Sequence, residues 1–256
     1  MVSNNSLCMN TFAVLADIHG NTWALDAVLA DIDHRGINSI INLGDTIYGP
    51  LDPQSTAERL MNLPCVSIQG NQDREIIKAA KMANADLPAT LKYVLKNSTL
   101  ETRDWLSSFP FSCVVDQTIF LCHGTPHSDE TYLLEDINRN QTCLKPEQGI
   151  MAQIETTPQK LILCGHSHLQ RIVRLPDGHL VVNPGSVGLP AYQDDLPAPH
   201  KMENGSPHAR YAILYDDPSG WKVEQIAIPY DWEKAAAAAR KNGREDWAVW
   251  LTTGRA

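Results

Sequence analysis

The sequence predicts an α/β fold, on two observations: strand and helix signals alternate β-α-β-α-β-α over the first 80 residues, and short apolar strands dominate from residue 111 onward. "TFAVLA", with Asp17 after it, is short and apolar and ends in a polar turn, as a strand buried on both faces does. "NTWALDAVLADIDHRG" follows, with Trp23, Leu25, Val28, Leu29 and Ile32 at helical spacing and Gly36 as a C-cap. "SIINLGD" reads as a second strand. "DPQSTAERLMNLP" reads as a second helix, with Pro53 in its first turn and Pro64 beyond its end. "CVSIQGN" is a third strand, and a polar helix is expected from Asp73. This alternation favours a parallel sheet with helices on it.

Residues 84–108 read as a helical insertion, with "ATLKYVLKN" and "LETRDWLSS" as its two helices. "FSCVVD" and "TIFLCHG" form an expected hairpin around Gln117. "KLILCGHSH", "RIVRLPDGHLVVNPGS", "ARYAILYDD" and "WKVEQIAIP" follow as strands, and the Asp-Gly pair in "PDGH" (176–179) marks a tight hairpin turn. Segment 189–208 is rich in proline and polar residues and reads as a surface loop. The tail "DWEKAAAAARKNGREDWAVWLTTGR" reads as helical, because its alanine run is a run of strong helix formers.

The chain has 256 residues, enough for one large or two small domains at about 100–200 residues each. Polar residues at strand tips come from both halves, so a single domain over 1–256 is expected. The net charge of −9 argues against a general polyanion-binding surface and so against nucleic acid. It leaves room for a small phosphorylated substrate, because a bound cation reverses the local sign. No apolar run approaches the roughly 20 residues needed to cross a bilayer, so no membrane partner is expected. "MVSNNSLCMN" lacks the basic-then-apolar pattern of a secretory signal, which makes the cytoplasm the expected location. Six cysteines (8, 65, 113, 122, 143 and 164) form no CxxC pair. Cys65, Cys113, Cys122 and Cys164 fall in or beside apolar strands and read as reduced, buried small hydrophobes.

The chemistry lies at the strand ends. Asp17, His19, Asp45, Asn71, His123, His166 and His168 each stand at the C-terminal end of an expected strand or in the following turn, where open α/β sheets place their ligand sites. Carboxylates, an amide and four imidazoles suit Mn, Fe, Zn or Ni better than Ca or Mg. The set is too large for one tetrahedral ion and sufficient for two. Two cations about 3.5–4 Å apart would acidify a bridging water, neutralise phosphate oxygens and clamp an in-line displacement. Taken singly, "DIH" and "GD" are common turns; "GHSH" directly after "KLILC" is more telling.

The series D-x-H, G-D, G-N-x-D, H-G and G-H-x-H resembles the calcineurin-like metallophosphoesterase superfamily, and "GDTIYGP" and "NPGSVG" resemble its small bacterial phosphodiesterase-like group. The resemblance implies a four-layer α/β/β/α sandwich of two mixed sheets. It implies one metal on Asp17, His19, Asp45 and His168, and a second on Asp45, Asn71, His123 and His166, with Asp45 bridging. It further implies a binuclear, metal-dependent phosphoric ester hydrolase, first a phosphodiesterase, acting on a small-molecule or nucleotide phosphoester by attack of a metal-bridging hydroxide. A phosphomonoesterase, or a scaffold without catalysis, is the alternative on the same fold.

Two departures stand out. Many members carry His after the ligand Asn, and here that residue is Gln72, which can donate a hydrogen bond but cannot deliver a proton near neutral pH. His127, four residues after His123, is the expected substitute acid, with His200 and His208 behind it. Asp73 is the expected carboxylate behind the ligands. Protein phosphatases of the superfamily carry Arg in a "GDxxxRG" run, whereas this chain reads "GDTIYGP" with Gly49 at that place, which tilts the expectation towards diesters. Trp105, Trp232, Trp247 and Trp250 read as helix packing, "KNGREDW" as a solvated break, and 84–108 with 189–208 as the pocket rim.

Overall fold

The computed structural model describes residues 10–82 and 86–256. The readings made for Cys8 and the first nine residues, and for the first two residues of the helical insertion, lie outside the described residues. No helix among the described residues is long and apolar enough to cross a membrane.

The first half runs β1 (Thr11–Leu15), α1 (Thr22–His34), β2 (Ser39–Asn42), α2 (Pro53–Met61), β3 (Cys65–Ser67) and α3 (Asn71–Ala80), then the expected insertion helices α4 (Ala89–Lys96) and α5 (Leu100–Ser107). Helix starts follow local chemistry. Asn21 Oδ1 accepts from the Ala24 amide ahead of α1, and Asp52 Oδ1 accepts from Ser55 ahead of α2. The polar helix begins at Asn71, two residues earlier than expected, because the Asp73 carboxylate reaches back to the Gly70 amide at 3.2 Å and caps it.

The second half contains β4 (Cys113–Val115), β5 (Ile119–Leu121), β6 (Glu135–Asn138), β7 (Gln141–Leu144), α6 (Glu147–Ile154), β8 (Leu161–Leu163), β9 (Gln170–Arg174), β10 (Leu180–Pro184), β11 (Ala191–Asp194), β12 (His200–Glu203), β13 (Ala209–Asp217) and β14 (Gly220–Ile228). It ends in α7 (Trp232–Lys241) and α8 (Glu245–Thr253). The hairpins expected at Gln117 and at "PDGH" are present, as β4–β5 and β9–β10.

Two five-stranded mixed sheets form the centre. The first has order β14-β13-β1-β2-β3; β1, β2 and β3 are parallel, as the alternation predicts, and β13 adds antiparallel to β1. The second has order β4-β5-β8-β10-β9, with β5, β8 and β10 parallel. Phe12, Val14, Ile41 and Leu214 of the first sheet pack on Ile119, Leu121, Leu163 and Val182 of the second, burying the inner faces of both. Leu25, Val28 and Ile32 of α1 cover the outer face of the first sheet, and Ile150 and Ile154 of α6 cover the second. This is the expected α/β/β/α order of layers.

Two regions depart from expectation. Segment 189–208 holds the β11–β12 hairpin rather than an irregular loop. Its alternation is real but falls on His200 and Met202 as the buried pair, which an apolar pattern does not register. The β6–β7 hairpin was likewise not expected, for its residues are mostly polar.

Candidate metal centre

The parallel strands set the position of the centre. Asp17 follows β1, Asp45 follows β2, Asn71 opens α3 after β3, His123 follows β5, and His166 and His168 follow β8. Asp17, His19, Asp45, His166 and His168 all hold left-handed backbone, with φ of 54°, 53°, 53°, 69° and 61°. For residues other than glycine such conformations cost roughly 1–3 kcal/mol each and persist only where the surroundings over-determine them.

The surroundings do so here. Asp17 N donates to Gly44 O and His19 N to Asp45 O, both at 3.0 Å, which locks the first two loops together. "NPGSVG" closes the third side: Ser186 Oγ donates to Asp17 O at 2.7 Å, Gly188 N donates to the same carbonyl at 3.1 Å, and Asn183 Nδ2 donates to Gly165 O at 2.8 Å. That segment therefore supports the ligand loops. Gly70 is required by close approach, since a Cβ there would fall 2.1 Å from Asp45 Oδ1.

The ring nitrogens show what the cluster is short of. His19 Nδ1 bonds Tyr48 O at 3.0 Å, His123 Nδ1 bonds Leu43 O at 2.8 Å, and His168 Nδ1 bonds Leu189 O at 2.7 Å. A carbonyl only accepts, so each of these three rings carries a proton on Nδ1 and turns Nε2 inward, the atom that would ligate a metal. His19 Nε2 and His168 Nε2 then face each other at 3.1 Å. His123 Nε2 faces Asn71 Oδ1 at 3.1 Å and Asp45 Oδ2 at 3.6 Å, and Asp17 Oδ1, fully buried, has no hydrogen-bond partner. Donor atoms crowded in this way fit a bound cation. Asp17, His19 and His168 offer three ligand atoms mutually within 4.8 Å, and Asp17, Asp45 and His123 offer a second such group.

Protonation behaviour follows the same geometry. Burial drives the His19 and His166 rings down to about 3, with the neighbouring His168 and His123 adding to it, so both are neutral and able to ligate at neutral pH. Burial alone would raise Asp17, but the facing imidazoles of His168, His123 and His19 outweigh it and hold the carboxyl at about 2. Asp45 is pushed up to about 8 by burial, with Asp73 and Asp17 close by; a bound cation would keep it ionised.

A family model for the calcineurin-like phosphoesterase superfamily domain matches residues 10–200. The chain belongs to that superfamily. It is 29% identical over 246 residues to an uncharacterized protein of Methanocaldococcus jannaschii, covering 92% of this chain and 94% of the relative. Among solved structures it is similar to a metallophosphoesterase from Sphaerobacter thermophilus, with a TM-score of 0.75 and 22% identity over 96% of this chain and 99% of that one. It is also similar to a putative diadenosine tetraphosphatase, with a TM-score of 0.55 and 15% identity over 85% of this chain and 93% of that one. At these identities the two structures speak for the superfamily fold alone.

Two cavities open beside the cluster, and both are lined by Asn71, Gln72, His166 and Asp194. One, of about 190 Å³, also meets His19, Asp45, His168, Tyr48, Tyr192, Arg244, Trp247 and Trp250. The other, of about 620 Å³, meets Glu75, Glu130, Tyr132, Glu135, Asp136 and Lys145. The Gln72 side chain thus reaches both, and its Oε1 is buried without a partner, while its backbone N donates to Asp45 Oδ1 at 2.9 Å.

The other proton-donor candidates lie elsewhere. His127 lines neither cavity and bonds Thr156 Oγ1 at 3.2 Å. His200 is buried, with Nε2 on Tyr132 Oη at 3.0 Å, and His208 sits beside Trp232. Asp73 touches no imidazole; its carboxylate accepts from the amides of Thr46 (2.9 Å) and Gly70 (3.2 Å) and so ties the Asp45 loop to α3.

The rim also differs from the reading made for it. Segment 189–208 contributes Tyr192, Gln193 and Asp194, but 84–108 packs under α2 and α3 instead, because Leu91, Val94 and Leu106 fill a core with Ile47 and Ile76. Trp247 and Trp250 pack as expected and line the smaller cavity as well. Sequence reasoning missed Arg244, Tyr132, Tyr192 and Glu135. Arg244 lies outside the matched family segment, in the stretch read as solvated, and nothing local marks it.

Proposed function

We propose that the chain is a metal-dependent phosphoester hydrolase that binds two transition-metal ions and acts first on small phosphodiesters. The observation that carries this reading is the convergence of His19, His123 and His168, each with Nε2 turned inward by a carbonyl on its Nδ1, around the buried carboxylates of Asp17 and Asp45. Asp17, His19, Asp45 and His168 would hold one ion, and Asp45, Asn71, His123 and His166 the other, with the Asp45 carboxylate shared between them. Such ions supply phosphoryl polarisation and acidification of water.

The residues do the rest. Backbone carbonyls fix the His19, His123 and His168 rings, and neutral Asn71 adds no charge to repel a phosphate. Gln72, at the junction of the cavities, offers an amide hydrogen bond to the ester but no proton. Loss of general acid help costs about 10²–10⁴ in rate, so esters with good leaving groups are the expected substrates. Diesters are favoured over dianionic monoesters because Gly49 stands where a phosphatase-type run carries arginine.

The test is metal content together with turnover. Protein purified and reloaded with Mn²⁺ is expected to hold two ions per chain and to cleave an aryl phosphodiester faster than an aryl phosphomonoester. Two bound ions with no turnover on diester, monoester or nucleotide panels would sink the reading and leave a binding role.

A further inference from the structure

The smaller cavity carries one guanidinium, and it comes from the far end of the chain. Among the described residues, Arg244 is the only lysine or arginine lining it, opposite His19, Asp45, His166 and His168. Arg244 lies between α7 and α8 and is held from three directions. Nε contacts both oxygens of Asp246 at 2.9 and 3.2 Å, and Nη2 contacts Asp246 Oδ2 at 2.6 Å. Nη1 donates to Thr90 Oγ1 of α4, and the guanidinium carbon sits 5.5 Å from the centre of the Trp247 ring. Three of the five N–H groups are thereby used, which leaves one on Nη1 and one on Nη2.

Trp247 connects this arginine to the metal cluster. Its ring meets His19 edge-on, with centroids 5.8 Å apart. It lies so close to Gly49 that a Cβ there would stand 2.9 Å from Trp247 Cζ3 and 2.5 Å from His19 O. A side chain at position 49 and a tryptophan at 247 cannot share this space. The loop after Asp45 therefore carries no arginine of its own, and the helix pair that takes up the space brings one to the same cavity.

We propose that Arg244 is the phosphate-binding cation of this site, with its two unused N–H groups directed to a non-bridging phosphoryl oxygen, and that Trp247, Asp246 and Thr90 act as its positioning residues. This rests on the phosphoester reading given above. The ion pair with Asp246 offsets part of the guanidinium's charge, so Arg244 supplies directed, charge-assisted hydrogen bonds with less net attraction than an unpaired arginine. That balance matches the single charge of a diester, or of a phosphate already neutralised by metal, better than a free dianion. Fixing the guanidinium in advance lowers the ordering cost when the anion arrives.

The experiment uses the manganese-loaded full chain and inorganic phosphate as probe, by titration calorimetry, alongside KM and kcat for an aryl phosphodiester and metal content by mass spectrometry. Arg244→Gln is expected to weaken phosphate binding about tenfold or more and to raise KM in step, with a smaller change in kcat and unchanged metal content. Arg244→Lys should recover only part of this. Thr90→Val keeps Arg244 and Asp246 and should give an intermediate loss, which guards against a folding defect in the arginine variants. Phosphate affinity and KM within twofold of wild type in folded Arg244→Gln would overturn the proposal, as would a wild-type protein that binds no phosphate. If phosphate binding depends on Arg244 but no ester is turned over, the hydrolase reading fails and this one stands.

Discussion

The two cavities that meet at His166 share a wall of Asn71, Gln72 and Asp194 but differ in charge and in origin. The smaller is bounded by Tyr48, Trp247 and Trp250 with Arg244, and most of the metal-ligand candidates open into it. The larger is bounded by Glu75, Glu130, Glu135 and Asp136, and its one lysine, Lys145, is already engaged by Tyr132 O and Gln153. On the phosphoester reading proposed above, a phosphoryl group would favour the first, which carries Arg244, and the larger, acidic cavity would suit the uncharged or cationic part of a substrate. The cluster thus faces an arginine-bearing cavity on one side and an acidic one on the other, set by residues far from it in sequence.

The largest expected effect removes a ligand candidate of the cluster on the side of the smaller cavity. His168→Ala opens the His19–His168 pair, and the loaded protein should lose at least one metal ion per chain and fall to background turnover on every ester; retention of two ions with wild-type turnover would exclude His168 as a ligand. Next is the clamp below the cluster. Asp73→Ala leaves the buried amides of Thr46 and Gly70 without their acceptor, and should lower stability by about 1–3 kcal/mol in denaturant titration, with weaker metal binding. An unchanged midpoint would show that Asp73 does not hold the Asp45 loop.

On the shared wall, Gln72→His restores a group that can pass a proton. The rate on alkyl phosphodiesters should rise on the order of 10² relative to aryl ones; an unchanged ratio would remove the leaving-group argument. The smallest effect belongs to the larger cavity alone. Burial raises Glu135 to about 7, against partial relief from Ser167 and Arg171. A carboxyl raised on folding stabilises the protein fully below its unfolded value near 4.5 and loses that contribution as pH climbs through about 7. Glu135→Gln has no such loss, so its melting temperature relative to wild type should increase from pH 5 to pH 8; a constant difference would contradict the raised value.

Much of this molecule is legible in one dimension because its determinants are local. The strands that end in Asp17, Asp45 and Asn71 announce themselves by short apolar runs and capped helices, and the ligand types at their tips need no tertiary information to be noticed. The β6–β7 and β11–β12 hairpins escape the same reading because their inward residues, such as His200 and Glu135, are polar and give no apolar period. Only the tertiary structure decides which way each histidine turns its lone pair, since the carbonyls of Tyr48, Leu43 and Leu189 that fix the rings lie 29, 80 and 21 residues away. It alone brings Trp247 against Gly49, about 200 positions distant in sequence, and Arg244 into the cavity beside it, because steric exclusion between remote segments leaves no trace in local composition.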